Sequence, residues 1–221
     1  MTKNIFLIAL CGIVLSCTIH EFGYLFMSIP TFIILSYNLV ELILKITSKA
    51  KEPNRELSKN FQGIIFIGII SIFFAKSSFE DTIGGYNLFW KLVFLSLFFT
   101  ILVAVILSRY FNLNTEFRFY NVLAICICSF LFIPNVGIII NKHISNETGR
   151  KQNIIINYKT ITKKTKGGYN YFLFIKTPYD SNERLDVEKE LYEGIKDDNE
   201  IVLTLRKGIL GYDYITKFDL K

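Results

Sequence analysis

Long apolar stretches separated by short polar segments fill the first 141 residues of this 221-residue chain. The clearest of them is residues 88–108, in which Leu92 to Ser108 carries no ionisable side chain. At about 1.5 Å of rise per residue, a helix of this length crosses a hydrocarbon core of roughly 30 Å. Aromatic and basic residues flank it, as is typical of the two membrane interfaces: Phe89, Trp90, Lys91, Arg109, Tyr110 and Phe111. The pattern predicts a membrane-spanning helix.

The same pattern predicts four further spans, at residues 4–20, 24–46, 61–79 and 122–140, with a total of four spans as the alternative to five. The first two form a hairpin. Its turn is expected at His20-Glu21-Phe22-Gly23, which keeps His20 and Glu21 out of lipid, rather than at Ser28-Ile29-Pro30. An ion site at His20 and Glu21 is the alternative interpretation of that pair.

The start of the chain also resembles a lipoprotein signal peptide. Lys3 precedes an apolar run from Ile5 to Leu15, and Ser16-Cys17 follows. Processing at Cys17 is therefore an alternative to a retained first span.

After residue 141 the apolar period changes to that of strands. Ile154, Ile156 and Tyr158 are expected on one face of a strand, with Ile155 and Ile161 as exceptions to the alternation. A turn at Lys166-Gly167-Gly168 leads into a second strand at 169–176. In total, five short strands and one short helix predict a small barrel-like domain of the SH3 or OB kind. The predicted architecture is a transmembrane helical domain, residues 1–141, followed by a soluble β-domain, residues 142–221.

Composition supports this division, and the distribution of basic residues indicates on which side of the membrane each end of the chain lies. Hydrophobic residues make up 51% of the chain, and the net charge is +6. The chain has 25 basic and 19 acidic residues, and its last 80 residues contain 15 of the basic and 12 of the acidic ones. This near balance of charge argues against a nucleic-acid-binding face in the tail. Basic residues near the spans, including a polar loop at 47–60, favour a cytoplasmic amino terminus and a periplasmic β-domain in a bacterial inner membrane. Counting the tail as far as Lys166 reverses that balance.

The cysteines and catalytic motifs argue against an enzyme. Cys11, Cys17, Cys126 and Cys128 all lie in apolar runs, so the tail can hold neither a disulfide nor a cysteine-based zinc site. The chain has no HExxH or GxSxG motif. We expect no catalytic site, no metal and no cofactor.

Two sets of residues in the spans are candidates for a role beyond lipid contact. Asn38, Glu41 and Lys45 share one helix face, which predicts either an ion pair between Glu41 and Lys45 or a polar seam lining a pore or gripping another subunit. Small residues recur every fourth position in the central span and predict a helix-packing seam, within one chain or between chains: Ser96, Thr100, Ala104 and Ser108.

The first β-hairpin combines aromatic and basic residues. This mixture is typical of surfaces that stack bases and hold phosphates, although aromatic residues also fill the core of a small barrel. The candidate ligand face comprises Tyr158, Lys163, Lys164, Lys166, Tyr169 and Tyr171.

Three functions are compatible with this organisation. The leading hypothesis is a non-catalytic bacterial membrane protein, with the bilayer, a protein partner and further copies of itself as partners, in an envelope-associated or toxin-immunity role. The arrangement of spans plus a small β-barrel also resembles bacterial defence effectors that sense a cyclic nucleotide and damage the membrane; this resemblance implies a cytoplasmic, nucleotide-binding barrel. A small transporter or channel using Glu41 is the third hypothesis.

Overall fold

The computed structural model describes residues 2–47, 59–113, 116–145, 147–164, 167–195 and 200–220. Most of the predicted basic loop, residues 48–58, lies outside this set. The helices are α1 Thr2–Thr18, α2 Leu25–Thr47, α3 Ile65–Glu80, α4 Gly85–Tyr110, α5 Arg118–His143 and α6 Lys189–Gly194. The strands are β1 Arg150–Lys163, β2 Tyr169–Ile175, β3 Glu183–Val187, β4 Glu200–Lys207 and β5 Asp213–Leu220. A helical bundle followed by a small β-domain is confirmed.

Among the described residues, four helical segments are long and apolar enough to cross a bilayer, namely Leu25–Thr47, Phe61–Glu80, Gly85–Tyr110 and Arg118–His143. The third of these is α3 together with the last part of the 3-10 helix Lys59–Ile64 that precedes it. The amino-terminal helix α1 is a shorter apolar helix of 17 residues. The part of the chain that the structure describes therefore has four helices of spanning length plus a helical amino terminus.

The structure divides into two compact units that do not coincide with the division at residue 141. The first comprises residues 1–73 and 90–135, and the second comprises residues 74–89 and 136–221. The β-domain thus shares its unit with the turn between α3 and α4 and with the carboxyl end of α5.

In the first unit, α1 and α2 form the predicted hairpin. The chain turns through a short 3-10 helix at Phe22–Tyr24, the preferred of the two positions, and Pro30 lies within α2. His20 and Glu21 are exposed at this turn. The two helices are joined by a hydrogen bond from the buried Ser28 hydroxyl to Thr18 Oγ1, 3.0 Å long.

Helices α2, α4 and α5 enclose the apolar centre of this unit. Phe32 of α2 is 1% exposed, and its ring packs against aromatic rings of α4 and α5, those of Trp90, Phe94 and Phe130. Helix α3 approaches α5 closely at Gly68, where an added Cβ would lie 2.9 Å from Leu131 Cβ. Asn135 Nδ2 donates to Ser71 Oγ across the same contact, at 3.0 Å. Small side chains thus permit close helix packing.

In the second unit, the strands form one antiparallel sheet in the order β3-β2-β1-β4-β5. The 14-residue β1 pairs with β4 through its first half and with β2 through its second half, so the sheet curves into a half-barrel. Its core consists of branched aliphatic side chains, with Leu173, Ile175, Ile201 and Leu203 fully buried. Leu191 and Tyr192 of α6 pack against this core.

A β-bulge in β1 corrects the expected alternation. Ile156 pairs with Ile175, whereas Tyr158 pairs with the adjacent Phe174, so one extra residue is inserted in β1. Ile154 and Ile156 therefore point into the core, and Tyr158 points to the opposite face. The prediction that these three side chains share a face is wrong.

Candidate functional site

The turn between α3 and α4 is part of the β-sheet. Ile83 N donates to Asp213 O and Ile215 N donates to Asp81 O, each at 2.8 Å, with Thr82 opposite Tyr214 in an antiparallel bridge. Residues 81–83 therefore cover the outer edge of β5 as a short additional strand. The Ile83 side chain is 4% exposed and belongs to the core of the β-domain.

Gly84 ends this pairing in a conformation that requires glycine. Its φ is +73°, and an added Cβ would lie 2.4 Å from Cδ2 of the Tyr179 ring. The left-handed backbone and the neighbouring ring each exclude a larger side chain. The chain can then begin α4 at Gly85, directly against the loop that follows β2.

A carboxylate from β3 meets the amino end of α4. Gly84 N donates to Glu183 Oε1, which places a negative charge at the positive end of the helix dipole. Burial raises the pKa of the Glu183 carboxyl above its ordinary value, and the hydrogen bonds from Thr177 and from the Gly84 N–H offset this only in part.

The end of α5 holds the turn between β4 and β5. The fully buried Asn141 donates from Nδ2 to Tyr212 O at 3.2 Å, and its Oδ1 accepts from Leu210 N at 3.0 Å. An added Cβ on Gly208 would lie 2.2 Å from Asn141 O, so only glycine fits beneath the helix end. Next to Asn141, Lys142 forms an ion pair with Asp81 of the α3–α4 turn.

We call these contacts the docking cluster: residues 81–85, Asn141, Lys142, Glu183 and residues 208–215. Tyr212 adds a further connection, since its hydroxyl donates to Asn87 Oδ1 at 2.6 Å. The β-domain is therefore fixed to the helix ends in its own unit by backbone pairing and by the hydrogen bonds of the buried Asn141 side chain, while an ion pair joins the end of α5 to the α3–α4 turn. Sequence reasoning did not find this cluster, although the glycines at 84 and 208 and the asparagine at 141 are signals of it in the sequence.

In the predicted polar seam, Glu41 pairs with Arg118 and not with Lys45, the partner expected for an ion pair within α2. Arg118, the first residue of α5, binds the Glu41 carboxylate with both Nε and Nη2, at 2.8 and 3.0 Å. Glu41 is 6% exposed, whereas Lys45 is exposed, and Asn38 Nδ2 donates to Ile34 O of its own helix. The three seam residues do not converge on one site.

The predicted packing seam lies inside the first unit. Ser96, Thr100 and Ala104 are each 1% exposed, and Ser108 is half-buried. Ala104 packs with Val40 and Val122, and the Ser96 and Thr100 hydroxyls donate to carbonyls of their own helix. These three small side chains serve packing within one chain.

The candidate ligand face is divided between two faces of the sheet. Tyr158 stacks on Phe174, with ring centroids 4.3 Å apart, on the outer face. Tyr171 packs against the core, and Tyr169 pairs with Lys163 on the same side as Tyr171. Lys164 is exposed at the hairpin turn, and Lys166 lies outside the described residues. Tyr158 and Lys163 lie five positions apart in β1, after the bulge, and therefore point to opposite faces, so the described residues of this set do not form one surface.

Among the described residues, no three His, Cys, Asp or Glu side chains are grouped closely enough to hold a metal ion. The sequence matches no protein-family model, and comparison with curated proteins and with solved structures gave no match.

Proposed function

We propose that this chain is a non-catalytic integral membrane protein whose β-domain is a protein-binding module fixed at the membrane surface by the docking cluster. The observation that carries the proposal is an aromatic patch on the outer face of the sheet, comprising Tyr158, Phe172, Phe174 and Arg184. Tyr158 is 49% exposed on its stack with Phe174, and the Arg184 guanidinium lies 4.7 Å from the Phe172 ring centroid. Aromatic residues and arginine are the types enriched in protein–protein interfaces.

The docking cluster supports the same function. A tethered domain needs only a linker, whereas this one shares backbone hydrogen bonds with a turn between two spanning helices. Such an attachment restricts the orientation of the aromatic patch relative to the membrane, which lowers the entropic cost of binding a partner there.

Partner binding is tested by co-purification of the full chain from native membranes. The variant Tyr158→Ser with Arg184→Ser removes the two exposed side chains of the patch. Tyr169→Ser with Lys163→Ser is the matched control, because it removes one exposed tyrosine and one cation from the opposite face. We expect a partner to be lost with the first variant and retained with the second; equal recovery with both would contradict the proposal.

For the location we propose a bacterial inner membrane with the β-domain in the periplasm, in an envelope-associated or toxin-immunity role. Support comes from the distribution of basic residues near the spans. Fusions after Lys221 test it: active alkaline phosphatase with dark green fluorescent protein is the expected pair of results. The reverse pair would place the β-domain in the cytoplasm.

A ligand-gated membrane effector is the second candidate, and the pairing of residues 81–83 with β5 favours it. A ligand that changed the sheet would act directly on the α3–α4 turn, giving a physical route from the domain to the helices. Addition of cyclic nucleotides to the full chain in dye-loaded liposomes would release dye if this candidate holds.

For the channel hypothesis, the binding of both Glu41 oxygens by Arg118 favours a structural role for that carboxylate over ion conduction.

A further inference from the structure

The turn between β4 and β5 is a tight hairpin with an apolar tip. Gly208 N donates to Tyr212 O at 2.8 Å and Gly211 N donates to Gly208 O at 2.9 Å, while Gly211 has a φ of +86°. This is a three-residue loop closed by a left-handed glycine. Ile209 and Leu210 occupy its two tip positions.

Large apolar residues are unusual at the tip of such a turn. Asn, Asp, Ser, Pro and Gly dominate such turns, because they satisfy or pre-form the turn backbone in water. Here Ile209 is 59% exposed and Leu210 is 42% exposed, and residues 208–211 carry no charge. Ile144, just after α5, is 50% exposed and lines an open groove with Ile209 and Gly208. Ile144, Ile209 and Leu210 are thus three exposed apolar side chains at one end of a densely charged domain.

The length of α5 indicates the depth at which the tip of the β4–β5 turn lies relative to the bilayer. Helix α5 has 26 residues, about 39 Å at 1.5 Å per residue, against a hydrocarbon core of roughly 30 Å. About three residues at each end of α5 therefore lie in the headgroup region. Asn141 is the third residue from the carboxyl end, and its side chain binds Leu210 N directly. The tip of the β4–β5 turn is thus held at the depth where hydrocarbon meets headgroups.

We propose that the β4–β5 turn inserts Ile209 and Leu210 into the edge of the bilayer, so that the β-domain has a lipid-binding surface of its own. The partner is the lipid surface in which α5 is embedded, with the exposed Lys207 beside the tip suited to headgroup phosphates. This inference is independent of what the aromatic patch binds.

Depth-dependent fluorescence quenching in the full chain tests the proposal. Trp90 is the only tryptophan, so Trp90→Phe provides a silent background. Ile209→Trp is then compared with Ile155→Trp, a matched control that is 65% exposed. Ile155 pairs with Glu200, nine residues before Ile209, about 30 Å away along the strands at roughly 3.3 Å per residue.

In liposomes containing lipids with a shallow doxyl quencher, we expect blue-shifted emission and loss of fluorescence for Ile209→Trp, and neither for Ile155→Trp. Equal behaviour of the two variants would overturn the proposal. If the tryptophan variants do not fold, Leu210→Cys in a Cys17→Ser background carries a nitroxide instead. Preferential relaxation of that nitroxide by oxygen would support insertion, and preferential relaxation by an aqueous nickel chelate would refute it.

Discussion

Asn141 is the side chain through which α5 holds the β4–β5 turn, and Asn141→Ala isolates its contribution. The variant leaves Leu210 N–H without its acceptor, at a cost of about 1–3 kcal/mol. The variant also removes the hydrogen bond from Asn141 Nδ2 to Tyr212 O. Because Tyr212 O still accepts a hydrogen bond from Gly208 N, this second loss costs only about 0.5–1.5 kcal/mol. Together they predict a loss of about 1.5–4.5 kcal/mol, which raises the open population of the docking cluster roughly 10- to 1,600-fold.

Hydrogen–deuterium exchange of the full chain in lipid nanodiscs measures this opening. The amides of Ile83 and Ile215, which pair the α3–α4 turn with β5, should exchange faster in Asn141→Ala by that factor. Ser145→Ala is the control, because its exposed hydroxyl donates to Lys207 O at the same end of the sheet, and we expect about a threefold change or less. Unchanged exchange at both amides in Asn141→Ala would refute the assignment of Asn141 as the residue that holds the cluster.

Three further substitutions test the steric, ionic and pH-dependent parts of the structure. Gly84→Ala combines a strained φ with overlap of a tyrosine ring and should cost about 2–5 kcal/mol in denaturant unfolding, whereas Gly167→Ala, with a φ of +88° in open space, should cost about 1–2 kcal/mol. Glu41→Gln leaves the Arg118 guanidinium without its carboxylate and should cost about 3–5 kcal/mol in thermal unfolding in detergent, with partial recovery when Arg118→Gln is added. The pKa of Glu183 is raised in the folded state, so the folded chain binds more protons than the unfolded chain above pH 4.5. The contribution of Glu183 to the free energy of unfolding is therefore full below its ordinary pKa of 4.5. That contribution is lost as the pH rises through the raised pKa. Glu183→Gln should therefore flatten the pH dependence of unfolding above 4.5.

Each of these has a clear contrary result. Equal losses for the two glycine variants would mean that the neighbouring ring is irrelevant. Full stability of Glu41→Gln would mean that its ion pair contributes nothing. A pH profile of Glu183→Gln that matches the unmodified chain would assign the titration to another group.

The helical part was predictable because its signal is local. An uninterrupted apolar run of spanning length has few alternative structures, and the bounds of α2, Leu25–Thr47, agree with the predicted 24–46 within one residue. The hairpin of β1 and β2 was predictable for the same reason, since period-two alternation and the paired glycines at 167–168 act over a few residues.

The docking cluster was not predictable because its pairings are distant in sequence. Residues 81–83 pair with residues 213–215, about 130 positions away, and periodicity carries no information on such pairs. A glycine at position 84 indicates unusual backbone but does not name the ring beside it. Ile161 was an available signal of the bulge: once Ile156 is followed by an extra residue, Ile161 falls on the core side with its partner Tyr171.

The pairing of residues 81–83 with β5 also sets an order for biogenesis. β5 follows the other four strands in the chain, and its outer neighbour is a turn that reaches its place only when α3 and α4 are both inserted. Until then the nascent domain presents an open strand edge and a gap where Ile83 belongs, features that promote aggregation. We therefore expect chains in which α3 and α4 fail to insert to keep this edge exposed and to be degraded faster than correctly inserted chains.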